Sequence, residues 1–230
     1  VPIALWATAL LVACALWGEV GRRAPRWGHA VLVLALLGWG GRLVVVSADD
    51  VRGYTEVVRN FYSQTRIEDS MEEGMGPVRT MVHGRITHGE QYLQHPGRAT
   101  AYYCERTGIG RALQSLPTDR PRQLGVVGLG AGTLAVYGRA GDEMRMYEIN
   151  DQVLDLARRH FSYLSATPAR IVPVLGDGRL MLERESPQAF DLLAMDAFSG
   201  DSIPTHLLTL EAFDAYRRHL APEGWLAVHI

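Results

Sequence analysis

The sequence predicts an α/β fold built on a doubly wound parallel sheet, and three observations carry that prediction. From residue 124 onward, short apolar runs alternate with helix-like stretches, the pattern of parallel strands joined by crossover helices. The first run, LGVVGLGAGTLAVY (124–137), ends in three glycines spaced two apart and passes directly into a helical pattern. Acidic residues then stand at the ends of the second, third and fourth expected strands, as Glu148, Asp177 and Asp196.

The chain has 230 residues, 47% of them hydrophobic, enough for one sizeable core and an additional segment. Its net charge of −2 and the absence of a long Lys/Arg run argue against nucleic acid as a partner. Two cysteines, Cys14 and Cys104, make a disulfide framework implausible and fit a reducing compartment.

Taken in order, residues 1–18 and 29–46 are nearly continuous apolar runs close to bilayer length, and membrane helices are expected there. The first is free of charge and carries Trp6 and Trp17 near its ends; a signal peptide is the alternative, but no basic segment precedes it. The second contains Arg42, so it either tilts across the bilayer or ends early and hands over to a strand at 43–46. The chain opens on Val1, which suggests a piece of a longer protein. Residues 1–46 are thus read as transmembrane, and 47–95 as a linker and β-hairpin region with strands in 58–69 and 78–93 around the turn EEGMGP. Residues 96–230 are read as a nucleoside-binding catalytic domain truncated at its carboxyl end. Within it, 96–116 begins as a loop and becomes helical. Strands are expected at 124–128, 144–148, 171–174, 190–195 and 225–230, and helices at 132–139, 151–160, 178–185 and 207–220.

The glycines Gly128, Gly130 and Gly132 sit where a buried strand ends and a helix begins, so a ligand can approach without meeting a Cβ. Their spacing is G-x-G-x-G, not the dinucleotide G-x-G-x-x-G. In such a sheet ligands bind at the carboxyl ends of the strands, where Glu148 can accept hydrogen bonds from a ribose diol and Asp177 from an exocyclic adenine amine. A solvated glycine turn is the bland alternative, which three carboxylates at three strand ends weaken. His83, His88 and Glu90 match no standard metal spacing, so no metal is expected. Tyr102 and Tyr103 line or cover the site, His206 reads as a helix-start residue, and Cys104 as packing.

Together, VVGLGAGTLAVY, MYEIND, LGDGRL, FDLLAMDAFSGDSIPTHLLTLEAF and LAPEGWLAVHI, with VRNFYS, MVHGRITHGEQYL and TAYYCE upstream, resemble the polyamine aminopropyltransferase (spermidine synthase) family, in particular its bacterial membrane-fused branch. The resemblance covers residues 57–230. It implies a Rossmann-like, class I methyltransferase-type sheet, closed after the fifth strand by a further strand pair. It also implies that Gln91 lines the nucleoside pocket, Glu148 binds ribose, Asp177 and Gly178 bind adenine, Tyr103 and Asp201 contact the amine, and Asp196 accepts a proton. Ala131 stands where soluble spermidine synthases have an acid, and Cys104 where they have a histidine; both positions contact the polyamine in the family.

The implied reaction transfers the aminopropyl group of decarboxylated S-adenosylmethionine to an amine such as putrescine, releasing methylthioadenosine, with no permanently bound cofactor. Alignment supplies most of the rate, and a carboxylate near the nitrogen takes the proton. The alternatives are an S-adenosylmethionine-dependent methyltransferase and a non-catalytic nucleoside-binding membrane protein. A homodimer is open to either enzyme. The expected location is the inner membrane with a cytoplasmic catalytic domain, because the nucleoside donor is made there, although Arg22, Arg23 and Arg26 between the apolar runs argue for the opposite side.

Overall fold

The computed structural model describes residues 8, 11, 12, 15, 26–49, 53–62, 64–84, 86–198 and 202–229. The chain divides into two units, Val1–Gly53 and Tyr54–Ile230.

In the first unit, most of the run 1–18 lies outside the described residues. The second run folds as helix α1, Arg26–Asp49. Residues 43–46 stay helical, so the alternative of a strand there is corrected: the Leu/Ala-rich stretch before them propagates the helix through the β-branched valines. Among the described residues no helix is long and apolar enough to cross a membrane. The expected membrane helices, and membrane association through them, are therefore not supported. Arg42, exposed on α1, and the glycines at 38, 40 and 41 interrupt the apolar stretch that the expectation rested on.

The second unit contains two sheets. The first is an antiparallel meander of β1 (Tyr54–Arg59), β2 (Gln64–Glu72), β3 (Gly76–His83) and β4 (Ile86–Tyr92), in that spatial order. Each of the two strand segments expected from sequence holds an additional turn. In the first, the Asn60 side chain accepts from the Tyr62 backbone N–H at 3.0 Å, a local bond that competes with the ladder. In the second, Gly84 takes a left-handed φ of 64°.

A 3₁₀ turn at Ala101–Tyr103 and helix α2 (Gly108–Ser115) lead into the parallel sheet. Its strands are β5 (Gln123–Val127), β6 (Glu143–Glu148), β7 (Arg170–Leu175), β8 (Phe190–Met195) and β9 (Leu220–Val228), in the order β7-β6-β5-β8-β9 and all parallel. Leu124 and Val126 of β5, with Met144 and Met146 of β6, face one apolar cluster, while Val127 and Tyr147 face the other. Such strands are buried on both faces, which is why they read as continuous apolar runs. The chain leaves β5 to one side for β6 and later returns to its other side for β8, placing a topological switch point at the carboxyl end of β5.

The connecting helices are α3 (Asp151–His160), α4 (Tyr163–Ala166), α5 (Gly178–Arg184) and α6 (Leu210–His219). Two expected helices differ. The segment 132–139 is a tight 3₁₀ turn, Thr133–Tyr137, entered from left-handed Gly132 and stopped at Gly138, so it is too short for an α-helix. The segment 207–220 is split into a 3₁₀ turn, Thr205–Leu208, and α6, because the Thr209 hydroxyl caps a new start by accepting from the Ala212 N–H. β9 begins at Leu220, but its regular pairing with β8 runs from Trp225, the register jumping between Phe190 and Leu192.

β4 is docked onto the glycine turn after β5. The register of β3 against β4 shifts between Thr80 and Val82, giving β4 an extra residue around His88 and Gly89. There the His88 carbonyl accepts from the Ala131 N–H at 2.9 Å, and Tyr163 Oη donates to the Glu90 carbonyl at 2.8 Å. These bonds bring the antiparallel sheet over the carboxyl ends of the parallel strands.

Candidate active site

A cavity of about 700 Å³ opens where β4 overhangs the carboxyl ends of the parallel strands. Gly128, Gly130, Glu148, Asp177, Gly178, Asp196 and Tyr103 all line it, so seven of the residues singled out from sequence share one space. Two of the glycines are there for approach. A Cβ on Gly128, whose φ is 97°, would stand 2.4 Å from the Asp196 carbonyl oxygen, and one on Gly130, at φ 52°, would stand 2.3 Å from that of His88.

At one end, Glu148 terminates β6. Its Oε2 accepts from the Leu129 N–H at 3.1 Å and its Oε1 from the Asn150 N–H at 2.9 Å, so the turn's own backbone fixes the carboxylate. Burial pushes its pKa up from the usual glutamate value, against those backbone N–H groups. The carboxylate retains acceptor capacity for a ligand hydroxyl. Asp177 caps α5 by accepting from the Leu180 N–H at 3.0 Å, and its other oxygen meets His206 Nε2 at 2.8 Å. Gly178 follows at a place where a Cβ would press 2.5 Å from Val127 Cγ1.

At the other end, Asp196 follows β8. Its Oδ2 accepts from Tyr103 Oη, and its Oδ1 lies 2.6 Å from His229 Nδ1. Burial first, and the Asp196 charge second, push the Tyr103 hydroxyl well above its usual range, so it stays protonated as a donor. The bond to Asp196 raises the His229 imidazole above its ordinary value. Tyr102 lies against the His229 ring with centroids 4.4 Å apart, and Phe198 meets it edge-on at 5.0 Å.

The wall formed by β3 and β4 adds His83 and His88, with ring centroids 4.7 Å apart. Burial, and then the neighbouring His83, lower His88 to about 4, so it is neutral at physiological pH. Among the described residues no group of three or more metal-ligating side chains is present.

Several sequence-based assignments land elsewhere. Gln91 does not line the cavity: its amide donates to the Pro96 carbonyl and the Ser162 hydroxyl and accepts from the Ser162 N–H, which occupies it inside the core. The extra residue in β4 changes which side chains face the site, and Thr87 and His88 take that wall instead. Gly132 is also outside the lining; it gives room to Leu164, whose Cδ2 would be 2.8 Å from a Cβ there. Asp201 lies outside the described residues. Neither Ala131 nor Cys104 lines the cavity. Sequence reasoning missed His229 and gave His206 a role at a helix start. The available signals were the place of His229 at the carboxyl end of the fifth strand and that of His206 in the loop after Asp196.

No family model matches the chain. Among curated proteins, it is 28% identical over 117 residues to the polyamine aminopropyltransferase of Vibrio vulnificus, covering 48% of this chain and 38% of that one. It is 26% identical over 162 residues to putrescine N-methyltransferase 2 of Nicotiana attenuata, covering 64% and 43%. A probable polyamine aminopropyl transferase of Bifidobacterium longum is 30% identical over 162 residues, covering 66% and 33%. The chain thus spans less than half the length of these curated relatives. Among solved structures, a probable spermidine synthase from Corynebacterium glutamicum superposes with a TM-score of 0.61 at 22% identity, over 75% of this chain and 62% of that one. Spermidine synthase from Thermotoga maritima gives 0.54 at 18%, over 76% and 56%.

The fold is α/β, of the type seen in spermidine synthases and methyltransferases. In sequence the chain is similar, more narrowly, to polyamine aminopropyltransferases, which are transferases.

Proposed function

We propose that this chain forms the nucleoside- and amine-binding part of an aminopropyltransferase that moves the aminopropyl group of decarboxylated S-adenosylmethionine to an amine such as putrescine, releasing methylthioadenosine. The observation that carries the reading is the charge of the cavity. Its described lining holds three carboxylates, Glu148, Asp177 and Asp196, and neither Lys nor Arg. That lining suits a sulfonium donor and a cationic amine. Intact S-adenosylmethionine adds a carboxylate for which neither Lys nor Arg stands among the described lining residues. A spermidine synthase of the same fold has been solved in complex with the transition-state analogue AdoDATO, at a TM-score of 0.55 and 18% identity over 76% of this chain and 57% of that one.

Glu148 takes the ribose hydroxyls and the glycine turn lets the nucleoside lie against backbone. Asp196 and the groups bonded to it hold the amine in line with the carbon beside sulfur and receive its proton. Positioning two reactants in this way supplies a large share of the barrier reduction. Asp201, as the second acid, would draw the distal ammonium of a diamine.

Methyl transfer to an amine is the second reading, favoured by the putrescine N-methyltransferases, which align with more of this chain than the Vibrio vulnificus enzyme does. Mass spectrometry of products from putrescine and either donor separates the two. Spermidine with methylthioadenosine supports the first reading, and N-methylputrescine with S-adenosylhomocysteine the second. No product from either donor across a panel of diamines overturns both and leaves a non-catalytic nucleoside-binding protein.

A further inference from the structure

We infer that the proton released by the attacking amine is taken by Nε2 of His229, which Asp196 orients, so that the two residues act as a catalytic dyad. This rests on the transfer reading above for the reaction and on the geometry for the atom. Both oxygens of Asp196 are already engaged, Oδ2 by Tyr103 Oη and Oδ1 by His229 Nδ1 at 2.6 Å. Because a carboxylate accepts, Nδ1 carries the hydrogen of that bond, which leaves the lone pair of the neutral ring on Nε2. Nε2 has no hydrogen-bond partner among the described residues, and His229 lines the cavity.

The ring is also fixed in place. Its backbone N–H donates to the Met195 carbonyl at 3.0 Å, tying the end of β9 to the strand that carries Asp196. Tyr102 packs against the imidazole with ring centroids 4.4 Å apart, and Phe198 meets it edge-on at 5.0 Å. Among the described residues, the titratable groups in contact with the imidazole are Asp196, Tyr102 and, through Asp196, Tyr103. Burial pushes both tyrosines up, so they remain neutral and the Asp196 carboxylate is the charge the imidazole faces.

The step balances. The amine lone pair forms a C–N bond to the carbon beside the sulfonium, the C–S bond breaks, and its electron pair stays on sulfur as a thioether. The N–H proton passes to Nε2, and the resulting imidazolium faces Asp196. With its side chain 34% exposed, His229 returns the proton to solvent.

The test uses the full chain and two independent readouts. In the wild type, kcat at saturating substrates should fall as pH drops through the His229 titration, which lies above the ordinary imidazole range. His229→Gln keeps a donor for Asp196 and cannot take the proton, so kcat should drop roughly a hundredfold with the donor KM within a few-fold, and that acid limb should vanish. A variant with kcat within threefold and the limb intact overturns the inference. Separately, ¹⁵N NMR titration should find the wild-type imidazole raised and returned downward in Asp196→Asn. An unmoved titration overturns the dyad whether or not turnover occurs, and it decides the matter if His229→Gln does not fold. Absence of wild-type turnover with both donors strikes the transfer reading instead.

Discussion

The two ends of the cavity hold their carboxylates by different means. Glu148 is fixed by the backbone N–H groups of Leu129 and Asn150, whereas Asp196 is fixed by the side chains of Tyr103 and His229, 93 and 33 residues away in sequence. A backbone-held group comes with the strand-turn-helix unit that contains it. A side-chain-held group depends on distant segments being brought together, and is correspondingly open to change without altering the fold. On the function proposed above, the end assigned to the nucleoside is therefore the fold's own property, and the end assigned to the amine is where this chain can differ from its relatives.

The most severe break is at the side-chain-held end. Asp196→Asn keeps the shape but removes the charge that holds His229, and kcat should fall by roughly 10²- to 10⁴-fold, the range of acid–base contributions. Affinity for methylthioadenosine, measured by calorimetry, should stay within a few-fold, because Glu148 and the glycine turn are untouched. Near-normal turnover would remove Asp196 from the chemistry.

At the backbone-held end, Glu148→Ala should weaken methylthioadenosine binding by about 1.5 to 3 kcal/mol, the range for hydrogen bonds to a charged group. That is roughly 10- to 150-fold in dissociation constant. An unchanged constant would place the ribose elsewhere.

A subtler consequence separates binding from stability. Because burial raises the pKa of Glu148, the folded state binds its proton more tightly than the unfolded chain does. The resulting stabilisation is fully present below the ordinary glutamate value and is lost as pH rises through the raised folded value. At neutral pH the ionised carboxylate is thus a cost to the unliganded fold. Glu148→Gln should raise the melting temperature of the unliganded protein at pH 7 relative to wild type, with the difference shrinking toward pH 4, while weakening the nucleoside. A lower melting temperature at pH 7 would show that the Leu129 and Asn150 bonds outweigh burial.

What the sequence disclosed follows the same division. The strand at 190–195 and the helix at 151–160 were legible to the residue, since burial on both faces leaves a bounded apolar run and a one-sided helix leaves an amphipathic repeat. That Gly128, Gly130 and Glu148 would share one cavity was legible because they lie at the carboxyl ends of neighbouring strands, whereas Gly132 falls outside its lining. Gln91 was misplaced because one extra residue in β4 changes which side chains face the site, and an insertion of that kind leaves little trace in composition. His229 escaped because nothing within its own strand marks it; only the pairing of β9 with β8 brings it to Asp196. Leu43 and the valines at 44–46 favoured a strand by propensity, and the helix already running through α1 overrode them.

The smallest expected effect concerns a position that the family resemblance put at the amine end. Cys104 follows the tyrosine pair directly, yet it lines neither the main cavity nor the adjoining one beyond Asp196. Its backbone carbonyl accepts from the Thr107 hydroxyl at 2.8 Å and so shapes the start of α2, a role the side chain does not enter. Cys104→Ser should therefore leave kcat, the amine KM and methylthioadenosine affinity within about twofold of wild type, well below the 1.4 kcal/mol of a tenfold change. A selective rise in the amine KM, with nucleoside affinity unchanged, would show that the sulfur reaches the acceptor after all, and that the side-chain-held end extends beyond Tyr103, Asp196 and His229.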